Sequence, residues 1–304
     1  MGSYVAYDVV FGGSPDVVVR NVRSVGYNDS AQVVIDRAAG SADPGKFYLG
    51  TSEPMNSLQS TDLVTLLGLN GGTFVSSGIC LNSNTLTIPV AVRADCAVLT
   101  AGATHDRMAG PASITTPTQF EVRQDSEEGA MCSFEVRWRS SDGILIPVTY
   151  TPAGYTLTAS SLGTTFGLGK AFIDNVEIGF LTGIVVNPGI QILTQRYGGG
   201  IFPRNHFIQY REPTIDILCE NLSLASSFMH SYSSTLNAAL RVFFRARKDG
   251  ATYEPEAGFS HVRFSFAAGF YKIEALDAAQ SGNGSATIRC YGKSLVSATG
   301  VAIA

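Results

Sequence analysis

The sequence predicts a mainly β protein organised as two tandem domains, each a β-sandwich or barrel with one short α-helix and one long loop between strands. Three observations carry this. First, the segment from Val33 to Leu63 lies over the segment from Ile192 to Leu222 at a constant offset of 159 without gaps. Six of the 31 positions are identical, Arg37/Arg196, Gly40/Gly199, Pro44/Pro203, Glu53/Glu212, Pro54/Pro213 and Leu63/Leu222, where background usage gives about two. The coincident glycines and prolines are backbone punctuation, which a shared fold preserves. Second, 45% hydrophobic residues exclude general disorder, while only 15% are charged, below the usual quarter. Third, 32 Gly and 12 Pro break up runs rich in Val, Ser and Thr, a composition of short strands and turns. A chain of 304 residues holds two domains of about 150, with boundaries expected at 1–155 and 156–304.

Taken in order, residues 4–11 and 17–27 read as strands around the turn GGSPD, because β-branched and aromatic residues crowd between Gly and Pro breaks. Gln32 to Arg37 extends this sheet. The loop AAGSADPGK (38–46) follows, then the partner strand beginning at Phe47. In the second copy the same series is read as N175-V-E-I-G-F (resembling N21-V-R-S-V-G-Y), Ile192 to Arg196, the loop YGGGIFPRNH (197–206), and F207-I-Q-Y-R. A loop of this length between paired strands is more than a hairpin needs. It is either an Ω-loop folded on its own side chains or an arm that packs on another subunit.

Next come strands starting at Glu53-Pro54 and Glu212-Pro213, each running into a helix. Thr61 or Asp62, and Asn221, are suitable N-caps. Leu63, Leu66 and Leu67, and Leu222, Ala225, Ser226 and Met229, fall at helical spacing. Three more strands per copy are expected around 86–92, 118–124 and 131–139, and around 236–245, 261–273 and 285–291. Residues 150–172 read as the connection between the domains.

The chain offers little chemistry. G163-T-T-F-G-L-G-K170 misses the phosphate-loop pattern, with its first glycine misplaced and Ala171 where a hydroxyl is required. His105, His206, His230 and His261 are isolated from one another, and no H-E-x-x-H or G-x-S-x-G occurs. The five cysteines are far apart and form no C-x-x-C pair, so neither a disulfide framework nor a zinc ribbon is indicated. No catalytic residue, cofactor or metal ligand is therefore assigned, and the chain is read as not an enzyme. The basic segment R241-V-F-F-R-A-R-K-D-G250 reads as a strand with a solvated basic end. Trp138 reads as core or interface.

Net charge is −4 overall. It divides into −6 for 1–152, with nine Lys and Arg against fifteen Asp and Glu, and +2 for 153–304, with twelve against ten. Neither half is a basic nucleic-acid reader. No signal peptide or membrane span is visible at the start or elsewhere, and no membrane insertion is expected.

Two β-rich copies of strand, long loop, strand, E-P-x-φ-x-φ strand and short helix resemble the tail tube fold of tailed bacteriophages. The most specific parts are 33–69 and 192–232. The resemblance implies a structural virion protein assembled in the host cytoplasm and located in the phage tail. It implies a tube subunit forming stacked rings, here trimeric and pseudo-hexameric, around a channel for DNA. The implied partners are the chain itself, other tail proteins, and phage DNA that passes without sequence-specific binding. Carried over by position, the loops are inter-ring stacking arms, with Ala38, Gly40, Asp43, Pro44 and Lys46 in one and Tyr197, Gly199, Ile201, Phe202, Pro203, Arg204 and His206 in the other. A tail-tip, hub-like or adaptor ring of the same fold is the near alternative. A β-sandwich receptor- or glycan-binding module using Tyr197 and Phe202 is the alternative of a different class.

Overall fold

A computed structural model describes residues 3–5, 8–12, 16–37, 43–80, 85–93, 104–156, 163–220, 238–249, 252–277 and 284–303. The protein is mainly β, with every strand pairing antiparallel. The first half runs β1 (Ser3–Val5), β2 (Val9–Phe11), β3 (Val17–Val19), β4 (Val22–Asn28), β5 (Val33–Asp36), β6 (Lys46–Leu49) and β7 (Met55–Ser60). It continues through α1 (Leu63–Gly68), α2 (Phe74–Ser77), β8 (Ile79–Cys80), β9 (Thr85–Arg93), β10 (Thr104–Arg123), β11 (Met131–Trp138) and β12 (Thr149–Thr156). The second half runs β13 (Phe166–Ile173), β14 (Val176–Glu177), β15 (Leu181–Asn187), β16 (Ile190–Gln195), β17 (Asn205–Arg211) and β18 (Thr214–Cys219). After residues 221–237, which lie outside the described set and include the second expected helix, come β19 (Ala238–Asp249), β20 (Thr252–Tyr253), β21 (His261–Asp277), β22 (Ser285–Gly292) and β23 (Val296–Val301).

The halves repeat one another over much of their length. β4 and β7 coincide with β15 and β18 at both ends when shifted by 159, and β11 coincides with β22 when shifted by 154. Pairing register is kept: Ser60 faces Cys132 as Cys219 faces Ala286, and Met55 faces Arg137 as Thr214 faces Tyr291. Irregular backbone is kept as well. Asn21 and Phe180 both take positive φ, 53° and 55°, a region non-glycine residues seldom occupy. Each carbonyl accepts the equivalent amide, from Thr61 at 3.4 Å and from Glu220 at 3.0 Å. Pro54 O and Pro213 O likewise accept from Trp138 N and Gly292 N, at 3.1 and 3.5 Å.

In each half one long strand belongs to two sheets. The beginning of β10 pairs β9 and β12, and its end pairs β11, with a register shift between Ala112 and Ile114. β21 does the same with β19 and β23, then β22. A shift at the corner turns the strand from one sheet into the other. Alternation along β11 buries Cys132, Phe134, Val136 and Trp138, and along β22 it buries Ala286, Ile288 and Cys290. Asp62 caps α1, with Oδ1 accepting from Thr65 N and Oδ2 from Arg20 N, so Leu63, Leu66 and Leu67 are buried.

Several sequence expectations are corrected. NVEIGF (175–180) is not the counterpart of N21-V-R-S-V-G-Y: it forms the β13–β14 turn and β14, and the counterpart of β4 is L181-T-G-I-V-V-N. Both segments begin with Asn and end with an aromatic residue, but the structural equivalent of Asn21 is Phe180. Residues 150–172 are largely strand, in β12 and β13, and the expected boundary at 155/156 falls at the end of β12. The strand expected at 118–124 is the last part of the twenty-residue β10.

Trp138 is fully buried, and its Nε1 donates to Asn56 Oδ1 at 2.7 Å while Asn56 Nδ2 donates to Gly26 O at 3.0 Å. Removing the amide leaves a buried donor and a carbonyl unsatisfied. Asn56→Ala is expected to lower unfolding free energy by about 2–3 kcal/mol, measured by chemical denaturation, with Ser57→Ala on the solvent side as a near-neutral control.

Candidate assembly site

The halves are joined by a strand pairing. The end of β10 meets β15 in the register Phe120↔Val186, Glu121↔Val185, Val122↔Ile184 and Arg123↔Gly183. A Cβ on Gly183 would stand 2.8 Å from Arg123 Cδ, so the glycine leaves room for the arginine stem across the seam. The result is one sheet of eight strands in the order β4, β7, β11, β10, β15, β18, β22, β21. β15 has a partner on each side and is mostly buried, whereas β4, its equivalent, pairs only β7 among the described residues and is mostly exposed. At the other end, Phe270–Asp277 of β21 pairs only β22 among the described residues.

The outward face of this sheet balances its own charges. Arg123 lies 2.5 Å from Glu121, Arg137 lies 3.1 Å from Glu135, and Lys272 lies 2.7 Å from Glu274. Arg289 clamps Asp216 with Nε and Nη2 at 2.7 and 2.9 Å and reaches Glu274 at 3.3 Å. Arg123, Arg137, Lys272 and Arg289, on β10, β11, β21 and β22, thus each have a carboxylate partner. Arg23, on the β4 edge, lies outside this pattern.

The two loops extend from hairpins, β5–β6 and β16–β17, that stand apart from the main sheets. The second hairpin folds sideways onto the first half of its own chain. Ser52 N donates to Ile201 O at 3.0 Å, Ser140 N to Pro203 O at 2.8 Å and Phe202 N to Gly143 O at 3.0 Å. Glu53 is the centre of this contact. Arg137 Nη1 and Thr194 Oγ1 donate to its Oε1 at 2.5 and 2.8 Å, Arg196 Nη2 lies 3.5 Å from Oε2, and His206 Nε2 lies 3.7 Å from Oε1. These groups hold the carboxyl down at about 2 despite its burial, His206 foremost, then Thr194 and Arg137. At 3.7 Å the imidazole acts as an electrostatic neighbour more than a formed hydrogen bond.

The residues assigned to stacking arms are thus divided. Phe202, Pro203 and His206 are buried against the chain's own first half, so these three are enclosed within one chain. Tyr197, Gly199 and Arg204 remain exposed, with the Arg204 guanidinium 5.7 Å from the Tyr197 ring centre, and Ile201 is half-buried. Asp43, Pro44 and Lys46 are exposed, while Ala38 and Gly40 lie outside the described residues. Burial of Phe202 separates it from Tyr197, the other aromatic of the binding-module alternative. Sequence reasoning missed Glu53 and Arg196 as contact residues, although both are identities of the repeat.

Residues 166–170 of the glycine-rich segment form a strand, with Lys170 between Glu177 and Glu256 at 3.4 and 3.0 Å. The basic segment is strand β19, whose arginines are occupied: Arg241 donates to Asn175 Oδ1, and Arg247 to the carbonyls of Ser126 and Glu127. His261 is buried, its Nδ1 accepting from Ala246 N and its Nε2 donating to Pro255 O. Cys132, Cys219 and Cys290 are buried free thiols, and burial pushes the thiol of Cys132 and that of Cys290 upward. His230 and Cys96 lie outside the described residues. Among the described residues no group of three His, Cys, Asp or Glu could hold a metal, and no helix is long and apolar enough to cross a membrane.

The Glu53 carboxyl gives the hairpin contact an acid limit. Its folded pKa of about 2 lies below the ordinary 4.5, so its stabilisation is complete above pH 4.5 and is lost as pH falls toward 2. Denaturation of wild type and Glu53→Gln across pH 6 to 2.5 is expected to show wild type losing about 2 kcal/mol more than the variant. Parallel pH profiles would refute the role. Comparison with protein-family models finds no match, and comparison with curated proteins finds none either.

Proposed function

We propose that the chain is a ring-forming structural subunit, a duplicated tail tube protein of a bacteriophage tail, whose copies close into a trimeric ring and stack around a channel for DNA. The observation that carries this reading is the β10–β15 pairing between the halves. Translating its register by the repeat places Leu276 of one copy opposite Tyr27 of the next, and Asp277 opposite Gly26. Tyr27 and Leu276 are 43% and 45% exposed here, whereas their equivalents Val186 and Phe120 are fully buried against each other's strands. Among the described residues each chain therefore offers one free edge at each end of its sheet, and the edges differ. Such a head-to-tail contact gives a ring if the rotation closes and a filament if it does not. Closure removes the edges.

Two further features support a conducting tube. The outward sheet face carries its cations already paired, so few are free to take phosphates by counterion release. Tyr48 and Phe207, with Val34 and Leu193 beside them, occupy equivalent faces of the two hairpins. Tyr48, Phe207 and Leu193 are exposed in the single chain, and a surface of this kind on both halves suits burial between stacked rings.

Negative-stain electron microscopy over a concentration series is expected to show hollow rings or tubes, with three chains in the smallest closed species. The double variant Tyr27→Cys/Leu276→Cys, oxidised and run without reductant, is expected to give a ladder that ends at three chains, while each single variant gives none. A discrete monomer at all concentrations with no cross-link would overturn the proposal. A ladder continuing past three would replace the trimer with a larger ring or filament.

A further inference from the structure

The two hairpins present equivalent faces to different surroundings. On the second, Ile192, Thr194, His206 and Ile208 share one side by register, and all four are half-buried or buried against the first half. The equivalent side of the first hairpin is Val33, Ile35, Phe47 and Leu49, exposed at 64%, 49%, 64% and 45%. The equivalent of Glu53 is Glu212, and the equivalent of Arg196, which approaches Glu53 in the same chain, is Arg37. Both Arg37 and Glu212 are exposed, and neither forms an ion pair among the described residues.

From this we infer that the β5–β6 hairpin of one copy clasps the second half of the adjacent copy, with Arg37 pairing across the interface with Glu212. The inference rests on the ring-forming reading and deepens it, because it assigns the Val33, Ile35, Phe47 and Leu49 face of the first hairpin to a sideways contact and leaves the opposite, Tyr48 face for stacking. The occupant is a second copy of this chain. The same neighbour that supplies β4 to the free β21 edge brings its hairpin to Glu212, as β15 and β16–β17 come together onto the first half within one chain.

The transferred site is simpler than its template. Around Glu53 stand Arg137, Thr194 and His206; their equivalents around Glu212 are Tyr291, Ile35 and Phe47. Arg37 is then the only cation the repeat brings to Glu212, in a setting otherwise apolar or aromatic, where a charge pair counts for more than on an open surface. The cradle for the hairpin tip does not transfer. The ten residues 139–148 between β11 and β12 are replaced by three, 293–295, between β22 and β23. The clasp uses the hairpin stem alone.

The test is charge reversal, read as the concentration at half-assembly by analytical ultracentrifugation, with electron microscopy of the same samples. Arg37→Glu and Glu212→Arg are each expected to raise that concentration at least about tenfold, since like charges then meet across the contact. The double variant R37E/E212R is expected to return to within about threefold of wild type. Both positions are exposed, so unchanged thermal melting of the single chain checks that the variants fold. Rings of wild type with single variants indistinguishable from it, or a double variant no better than the singles, would overturn the clasp and leave the ring reading standing. A wild-type chain that never associates would overturn both.

Discussion

An unpaired strand edge is a row of backbone donors and acceptors that needs a partner, and the architecture of this chain follows from where that need is met. Within the molecule it is met once, where the end of β10 covers β15. That pairing turns two four-stranded sheets into one of eight, buries Ile184 and Val186, and brings the second hairpin within reach of Glu53. The duplicated fold supplies the same pair of edges again, on β4 and on β21, with nothing in the chain's described residues to cover them. The repeat thus gives the interior junction and the two exterior edges a common geometry.

Charge is arranged to suit that geometry. Glu121, Glu135, Asp216 and Glu274 each sit beside a cation on the same sheet face, two residues away or on the adjoining strand. Exposed pairs of this kind contribute little to stability. Their physical effect is on the field above the sheet, where a cation beside a carboxylate attracts a polyanion far less than a free one.

Much of the fold was legible in the sequence because glycine, proline and alternating apolar positions carry local geometry. The offset of 159 found β5, β6 and β7 and their counterparts, and Asp62 was recognisable as a cap by its chemistry. The equivalence of Asn21 with Phe180 was hidden, since a shared positive φ leaves no common residue type. The site was harder to read. Arg37/Arg196 and Glu53/Glu212 stood out as identities, but the contact joins Glu53 to Arg196, 143 residues away and across the halves. Only the fold shows that the partner of Glu53 lies in the other half. The sideways turn of the second loop depends on residues 139–148, an insertion that no periodicity marks.

The differences between the halves are as informative as the likeness. A hairpin held in its own chain is kept at high local concentration by covalent connection, so its contact can be polar, with Thr194 and His206 around a many-partnered carboxylate. A hairpin that must find a separate molecule bears the loss of translational and rotational freedom, and needs apolar area to offset it. Ile35 and Phe47 stand where Thr194 and His206 stand in the second half. The substitution exposes apolar surface on the single chain, and in the proposed clasp an Arg37–Glu212 pair would restrict which surface can receive it. Under the ring-forming reading proposed above, the interior junction joins the two halves of one chain, and the same geometry repeated at the exterior edges would join one chain to the next.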